Sequence, residues 1–125
     1  VLIIITNTMT PTTYKINDQY KGDTFNGVTF TLKEGADKTP IDLTGVAILS
    51  QFRVNEVTGT IQQSFSIGSG ITVTNATGGV FKIDSFVLDW NTGTFFYDIQ
   101  ITFPNGDVRT YVKGSLNVIQ DVTNV

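Results

Sequence analysis

An all-β domain is what this chain predicts, and three observations predict it. Twenty threonines stand among Val, Ile and Phe in 125 residues, the composition of pleated, half-buried strands, whose β-branched side chains disfavour helix. No window of about 11 residues repeats apolar side chains at i, i+3, i+4 and i+7, as a helix face would require. Clusters of Gly, Asn, Asp and Pro punctuate the chain at intervals of roughly 8–14 residues, the spacing of short antiparallel strands.

The elements follow in order. Residues 13–17 read as a short strand that ends in the turn Asn17-Asp18-Gln19. Residues 24–33 carry Phe25, Val28, Phe30 and Leu32, and the period slips at Asn26-Gly27, the mark of a bulge. Residues 34–44 are polar and run into Pro40-Ile41-Asp42-Leu43-Thr44-Gly45. Residues 46–54 alternate cleanly, with Val46, Ile48, Ser50, Phe52 and Val54 on one face and Gln51 and Arg53 on the other. Residues 57–66 place Ile61 and Phe65 inward. Beyond Gly68-Ser69-Gly70, residues 71–74 and 79–84 form two short strands, and residues 86–91 form a single helical turn or a corner, plugged by Leu88 and Trp90. Phe95, Tyr97, Ile99, Ile101 and Phe103 define the strongest strand. Pro104-Asn105-Gly106-Asp107 then turns the chain, since Asn-Gly tolerates the positive φ of a tight hairpin. Residues 108–119 return with Thr110, Val112, Gly114, Leu116 and Val118 expected inward. Seven or eight such strands fit a two-sheet, immunoglobulin-like β-sandwich best, with a jelly roll or small barrel second.

Composition narrows the function classes. A chain of this length is one domain that buries roughly two-thirds of its unfolded surface. Eight Lys and Arg against eleven Asp and Glu give a net charge of −3 with no basic stripe, so the counterion-releasing surface of a nucleic-acid binder is missing. There is no Cys and no His. That removes disulfides, thiolate metal sites and the usual general base near neutral pH. Nothing calls for a cofactor or a metal. Residues 1–5 are too short to span a bilayer, which takes about 20 apolar residues, and no membrane partner is expected.

The candidate sites are few. Asp84 and Asp89 would be the acid pair of a small hydrolase, but no extended cleft is implied around them. Asp98 sits on the outward face of the strongest strand, where Arg109, Tyr111 and Lys113 of the next strand, and Arg53 if its strand is adjacent, make a surface charge pair the simplest reading. Glu34, Asp37, Asp18 and Asp23 read as turn formers, since they match no calcium-loop spacing. Phe96 is the exception among the aromatics. Core packing accounts for Phe95 and Tyr97, and a structural corner for Trp90. An outward Phe on a central strand implies cover by another chain or by the N-terminal segment.

The order of short motifs along residues 14–123 carries a resemblance. KGDTF (21–25), TPIDLTGVAILSQFR (39–53), SGITVTNATGGVFKID (69–84) and GTFFYDIQITFPNGDVRTYVKGSLNVIQDVT (93–123) resemble small structural proteins of tailed-bacteriophage virions. They are similar to the immunoglobulin-like N-terminal domain of the baseplate upper protein of phages that infect Gram-positive hosts. The sharpest pieces are Asp42-Leu43-Thr44-Gly45, Gln51-x-Arg53, Gly93-x-Phe95-x-Tyr97-Asp98-Ile99, and Gly114 ahead of Val122-Thr123. The resemblance implies a non-enzymatic assembly module in a tail, baseplate, head fibre or capsid decoration, assembled in the host cytoplasm. Its implied partners are other virion proteins, as a homo-oligomer or multi-subunit assembly.

Residues 1–12 depart from that pattern. Val1, Leu2, Ile3, Ile4 and Ile5 read either as a first strand buried in the chain's own core or as an arm laid on a neighbouring subunit, and a clipped precursor is compatible with both. The division expected is an arm over 1–12, a β-sandwich over 13–123 and a tail at 124–125. An apolar run before Pro11 suits strand addition to an exposed sheet edge. Val1–Ile5, Phe96 and Tyr111 are therefore the expected partner-binding residues. The rival from another class is a carbohydrate-binding or adhesive surface module that uses Trp90, Phe96 and Tyr111.

Overall fold

A computed structural model describes residues 1–5, 10–120 and 122. The middle of the expected arm, 6–9, and the expected tail at 124–125 lie outside the described residues. The described chain is all-β. Its strands are β1 (Leu2–Ile5), β2 (Thr12–Thr13), β3 (Gln19–Tyr20), β4 (Thr24–Phe25), β5 (Val28–Glu34), β6 (Thr39–Pro40), β7 (Ala47–Val54), β8 (Ile61–Ile67), β9 (Gly70–Asn75), β10 (Val80–Ile83), β11 (Phe86–Val87), β12 (Gly93–Thr102) and β13 (Val108–Ile119). Eight of these are four residues or longer, and the rest are two-residue strands.

One continuous mixed sheet holds most of them, in the order β1-β5-β10-β9-β8-β7-β12-β13-β2, with β3 also on β13 and β6 on β5. Its end strands β1 and β2 lie beside each other without forming a ladder, so the sheet curls almost into a barrel. A second, two-stranded sheet pairs β11 with β4. The expected slip at Asn26-Gly27 is where these sheets part. Gly27 sits at φ 83°, and a Cβ there would lie 2.4 Å from the Ile83 carbonyl oxygen, so only glycine lets the chain step from β4 into β5 at this point. Between β2 and β3 the chain follows β13, with Tyr14 N–H donating to the Lys113 carbonyl (2.8 Å) and Ile16 N–H to that of Ser115 (2.9 Å).

The alternations of β7 and β12 hold. Val46, Ile48, Ser50 and Phe52 are buried, as are Phe95, Tyr97, Ile99 and Ile101, and β7 and β12 pair in register from Phe95↔Val54 to Thr102↔Ala47. Trp90 packs on Phe52, Phe86 and Phe95 at centroid distances of 5.0–5.8 Å, while Phe52 stacks on Tyr97 at 5.0 Å. Each such pair adds roughly 0.5–1.5 kcal/mol beyond the area it buries. The loop motif Asp42-Leu43-Thr44-Gly45 closes as a turn, with Asp42 Oδ1 accepting from Thr44 N–H (2.9 Å) and Oγ1 (2.6 Å), and drops Leu43 into the core.

Four inward–outward assignments are corrected. Ile61 is exposed, because it stands opposite Arg53 on the outer face. Between Ile99 and Gln100 the β12–β13 register shifts: Ile99 faces Val112 but Gln100 faces Thr110. Tyr111 is the extra residue of that bulge and is buried (5% exposed) instead of facing outward. Thr110 then turns to the outer face and Arg109 comes opposite Ile101, the reverse of the expected parity.

Candidate functional site

The first five residues behave as a strand of this chain's own sheet. β1 runs parallel to β5, Leu2 opposite Thr31 and Ile5 opposite Glu34, and the Val1 amine donates to the Thr29 carbonyl. Ile3 and Ile5 are each 3% exposed and belong to the core, whereas Leu2 is 51% exposed and Val1 and Ile4 are partly covered. The aliphatic run is thus divided by strand alternation. Two of its members are core residues of the same molecule and are not available to a neighbour. Parallel pairing also divides the backbone. Thr31 N–H reaches the Val1 carbonyl and Gly35 N–H that of Ile5, so the N–H and C=O groups of Leu2 and Ile4 point away from β5, toward the edge.

Phe96 lies elsewhere, in a groove of about 540 Å³ on the outer face of β7, β12 and β13. Strand pairing builds it. Phe96 stands between Arg53 and Ser115, and Asp98 between Gln51 and Lys113. Thr110, brought outward by the bulge, lines one wall, and Pro11, Val57 and Thr58 form the rim. Arg53 is held in place: Nη1 donates to the Gly59 carbonyl (2.9 Å) and Nη2 to Gln51 Oε1 (3.2 Å). Gln51 in turn donates through Nε2 to Ser64 Oγ (3.3 Å).

Asp98 is different. It faces Lys113 across the ladder, yet among the described residues its carboxylate makes no ion pair within 4.0 Å and no side-chain hydrogen bond. The expected surface charge pair therefore does not close. Burial pushes the Asp98 carboxyl above its ordinary value, and the nearby Arg53 guanidinium and a hydrogen bond from its own backbone N–H only partly offset this. The side chains that meet here are a carboxylate without an ion pair, a fixed guanidinium and amide, an ammonium, two threonine hydroxyls and an aromatic ring. Such groups can offer a ligand hydrogen bonds and ring contact.

No family model matches the chain, and no curated protein matches it in sequence.

The other predicted residues fall away from this groove. Tyr111 packs edge-on against Phe103 at 6.3 Å beside a second cleft lined by Glu34 and Arg109. Trp90 is 6% exposed and donates its indole N–H to Gln63 Oε1 (3.4 Å). A three-ring platform of Trp90, Phe96 and Tyr111 is therefore not formed. Asp84 accepts from Thr72 Oγ1 (2.9 Å) and Asp89 pairs with Lys21 Nζ (3.0 Å), so each of these acids has a partner of its own. Sequence reasoning placed Gln51, Arg53 and Asp98 on outward faces but not around one ring. The signal was present in the parity of β7 and β12, and lacked only their register.

Proposed function

We propose that this chain is a non-enzymatic structural protein of a bacteriophage virion, a tail, baseplate or head-appendage module that docks to neighbouring subunits as part of a homo-oligomer or larger assembly. The observation that carries the reading is the edge at β1. Leu2 is exposed there, and among the described residues the backbone groups of Leu2 and Ile4 have no ladder partner, which suits a partner strand adding by main-chain hydrogen bonds. The ordered motifs of residues 14–123 support the virion assignment. The chain doubles back at Gly68-Ser69-Gly70, where β8 passes directly into β9 as its parallel neighbour. On this reading β1-β5-β10-β9 and β8-β7-β12-β13 are the two layers of an immunoglobulin-like sandwich joined at that corner.

Leu2→Pro tests the docking. It removes only an outward N–H, a place where an edge strand accepts proline, and leaves the bonds to β5 intact. The variant should fold with an unchanged circular dichroism spectrum and fail to enter particles or oligomers, as read by sedimentation and by its content in gradient-purified virions. A wild-type chain that is monomeric and missing from purified particles overturns the proposal.

A further inference from the structure

We propose that the groove over Phe96 is a saccharide-binding site, selective for a short, uncharged oligosaccharide. The inference is independent of the docking edge at β1, which involves different residues.

The first argument is what the groove withholds. β7 and β12, which carry Gln51, Arg53, Phe96 and Asp98, each have a strand on both sides, so their backbone donors and acceptors are spent in ladders. An extended peptide cannot bind here by strand addition, and recognition falls to side chains alone. The second is charge. Asp98 stands opposite Lys113 on one side and Gln51 on the other, with Arg53 two residues along β7 in the same lining. An anion meets the central carboxylate, and a cationic side chain meets the two flanking cations. A neutral ligand rich in hydroxyls avoids both repulsions, because each hydroxyl both donates and accepts. It can donate to the Asp98 carboxylate, which among the described residues has no ion pair, and accept from Lys113 and from the Arg53 N–H groups not given to Gly59 and Gln51.

The third argument is the ring. The half-buried Phe96 side chain offers an apolar surface among these polar groups. The C–H face of a pyranose carries slight positive charge and meets the negative face of an aromatic ring favourably. Finally, the polar groups are set in advance. The chain Ser64–Gln51–Arg53–Gly59 fixes two planar side chains before any ligand arrives, which lowers the ordering cost of binding. The volume falls in the range of small-ligand pockets, about 300–1,000 Å³.

The test is an NMR titration of the ¹⁵N-labelled full chain with maltotriose, cellotriose, tri-N-acetylglucosamine and a rhamnose trisaccharide, each to about 10 mM. At least one should give saturable shifts at the amides of Gln51, Arg53, Phe96, Asp98 and Lys113. Phe96→Leu, which keeps the burial but loses the ring, should weaken that binding by about tenfold or more, and Asp98→Asn should weaken it to a lesser degree. Leu2→Pro should leave binding unchanged while abolishing assembly, so the two proposals fail separately. Absence of groove shifts with all four sugars overturns the inference. So does sugar binding that Phe96→Leu leaves intact, or a response at these amides only to an oligolysine peptide or to inorganic phosphate.

Discussion

Single residues show where the fold accepts a cost. Ser50 follows the inward parity of β7 and is fully buried, yet its Oγ has no hydrogen-bond partner among the described residues. A buried hydroxyl without a partner costs roughly 1–3 kcal/mol. Ser50→Ala should therefore raise the stability to urea by about 1 kcal/mol, and a loss of stability would show that the hydroxyl is satisfied. Asp98 is the charged counterpart. Its pKa is raised in the folded state above the ordinary value of 3.8. Below that value the carboxyl is neutral in folded and unfolded chains alike. As pH rises through the folded pKa the folded chain must hold a desolvated charge, so stability is lost in that window. Asp98→Asn should stabilise the protein at pH 7, and the advantage should vanish as pH falls below about 4. Asp18 and Asp42 work in the opposite sense. Both are held below the ordinary value, Asp18 by Lys15 and Asp42 by Thr44, and lose their contribution as the solution is acidified.

At the scale of elements, β1 makes the sharpest contrast. Ile3→Ala should cost about 2–5 kcal/mol in urea unfolding, whereas Leu2→Ser, one residue away on the open side, should change stability by less than about 0.5 kcal/mol. Equal effects would mean that the strand does not alternate as described. Sequence left two readings of this run open because five aliphatic residues in succession have no period; only the pairing with β5 separates core from edge. β7 and β12 were legible for the opposite reason, since strict alternation with Phe, Tyr and Ile fixes both strand and face. β13 shows the limit. Its length and much of its inner face were readable, but one unpaired residue at the bulge buried Tyr111 and turned Thr110 outward, and nothing in local composition marks it. Gly114 is legible in the sequence as a motif residue on the inner face, but nothing near it in the chain says why it is glycine. A Cβ there would lie 1.8 Å from the Tyr14 carbonyl oxygen, the atom that also accepts the Tyr97 hydroxyl at 2.6 Å. That segment is 83 residues from Tyr97, beyond the reach of any local pattern.

The whole molecule is closed by its most distant parts. Residues 12–20 lie along 112–119 through β2, β3, Tyr14 and Ile16, and Lys21 Nζ reaches the carboxylate of Asp89 and the carbonyl of Trp90. Each of these contacts requires the loop between its ends to close first, an entropic cost met before the contact gives any return. Local hairpins, β12 with β13 above all, can form early, but the layer over β13 and the β1–β5 pairing must wait for the chain to come round. Folding dominated by such non-local pairing falls in the millisecond-to-second range. Trp90 is the only tryptophan and sits inside the aromatic cluster, so its fluorescence reports core formation directly. Stopped-flow refolding should show a single phase on that timescale. Gly114→Ala should destabilise the protein by about 1–3 kcal/mol, and the loss should appear mainly as faster unfolding if the Tyr14–Ile16 segment docks after the transition state. Refolding slowed by the full destabilisation would instead put that long-range contact in the nucleus, and completion within microseconds would mean that the curled sheet does not govern the barrier.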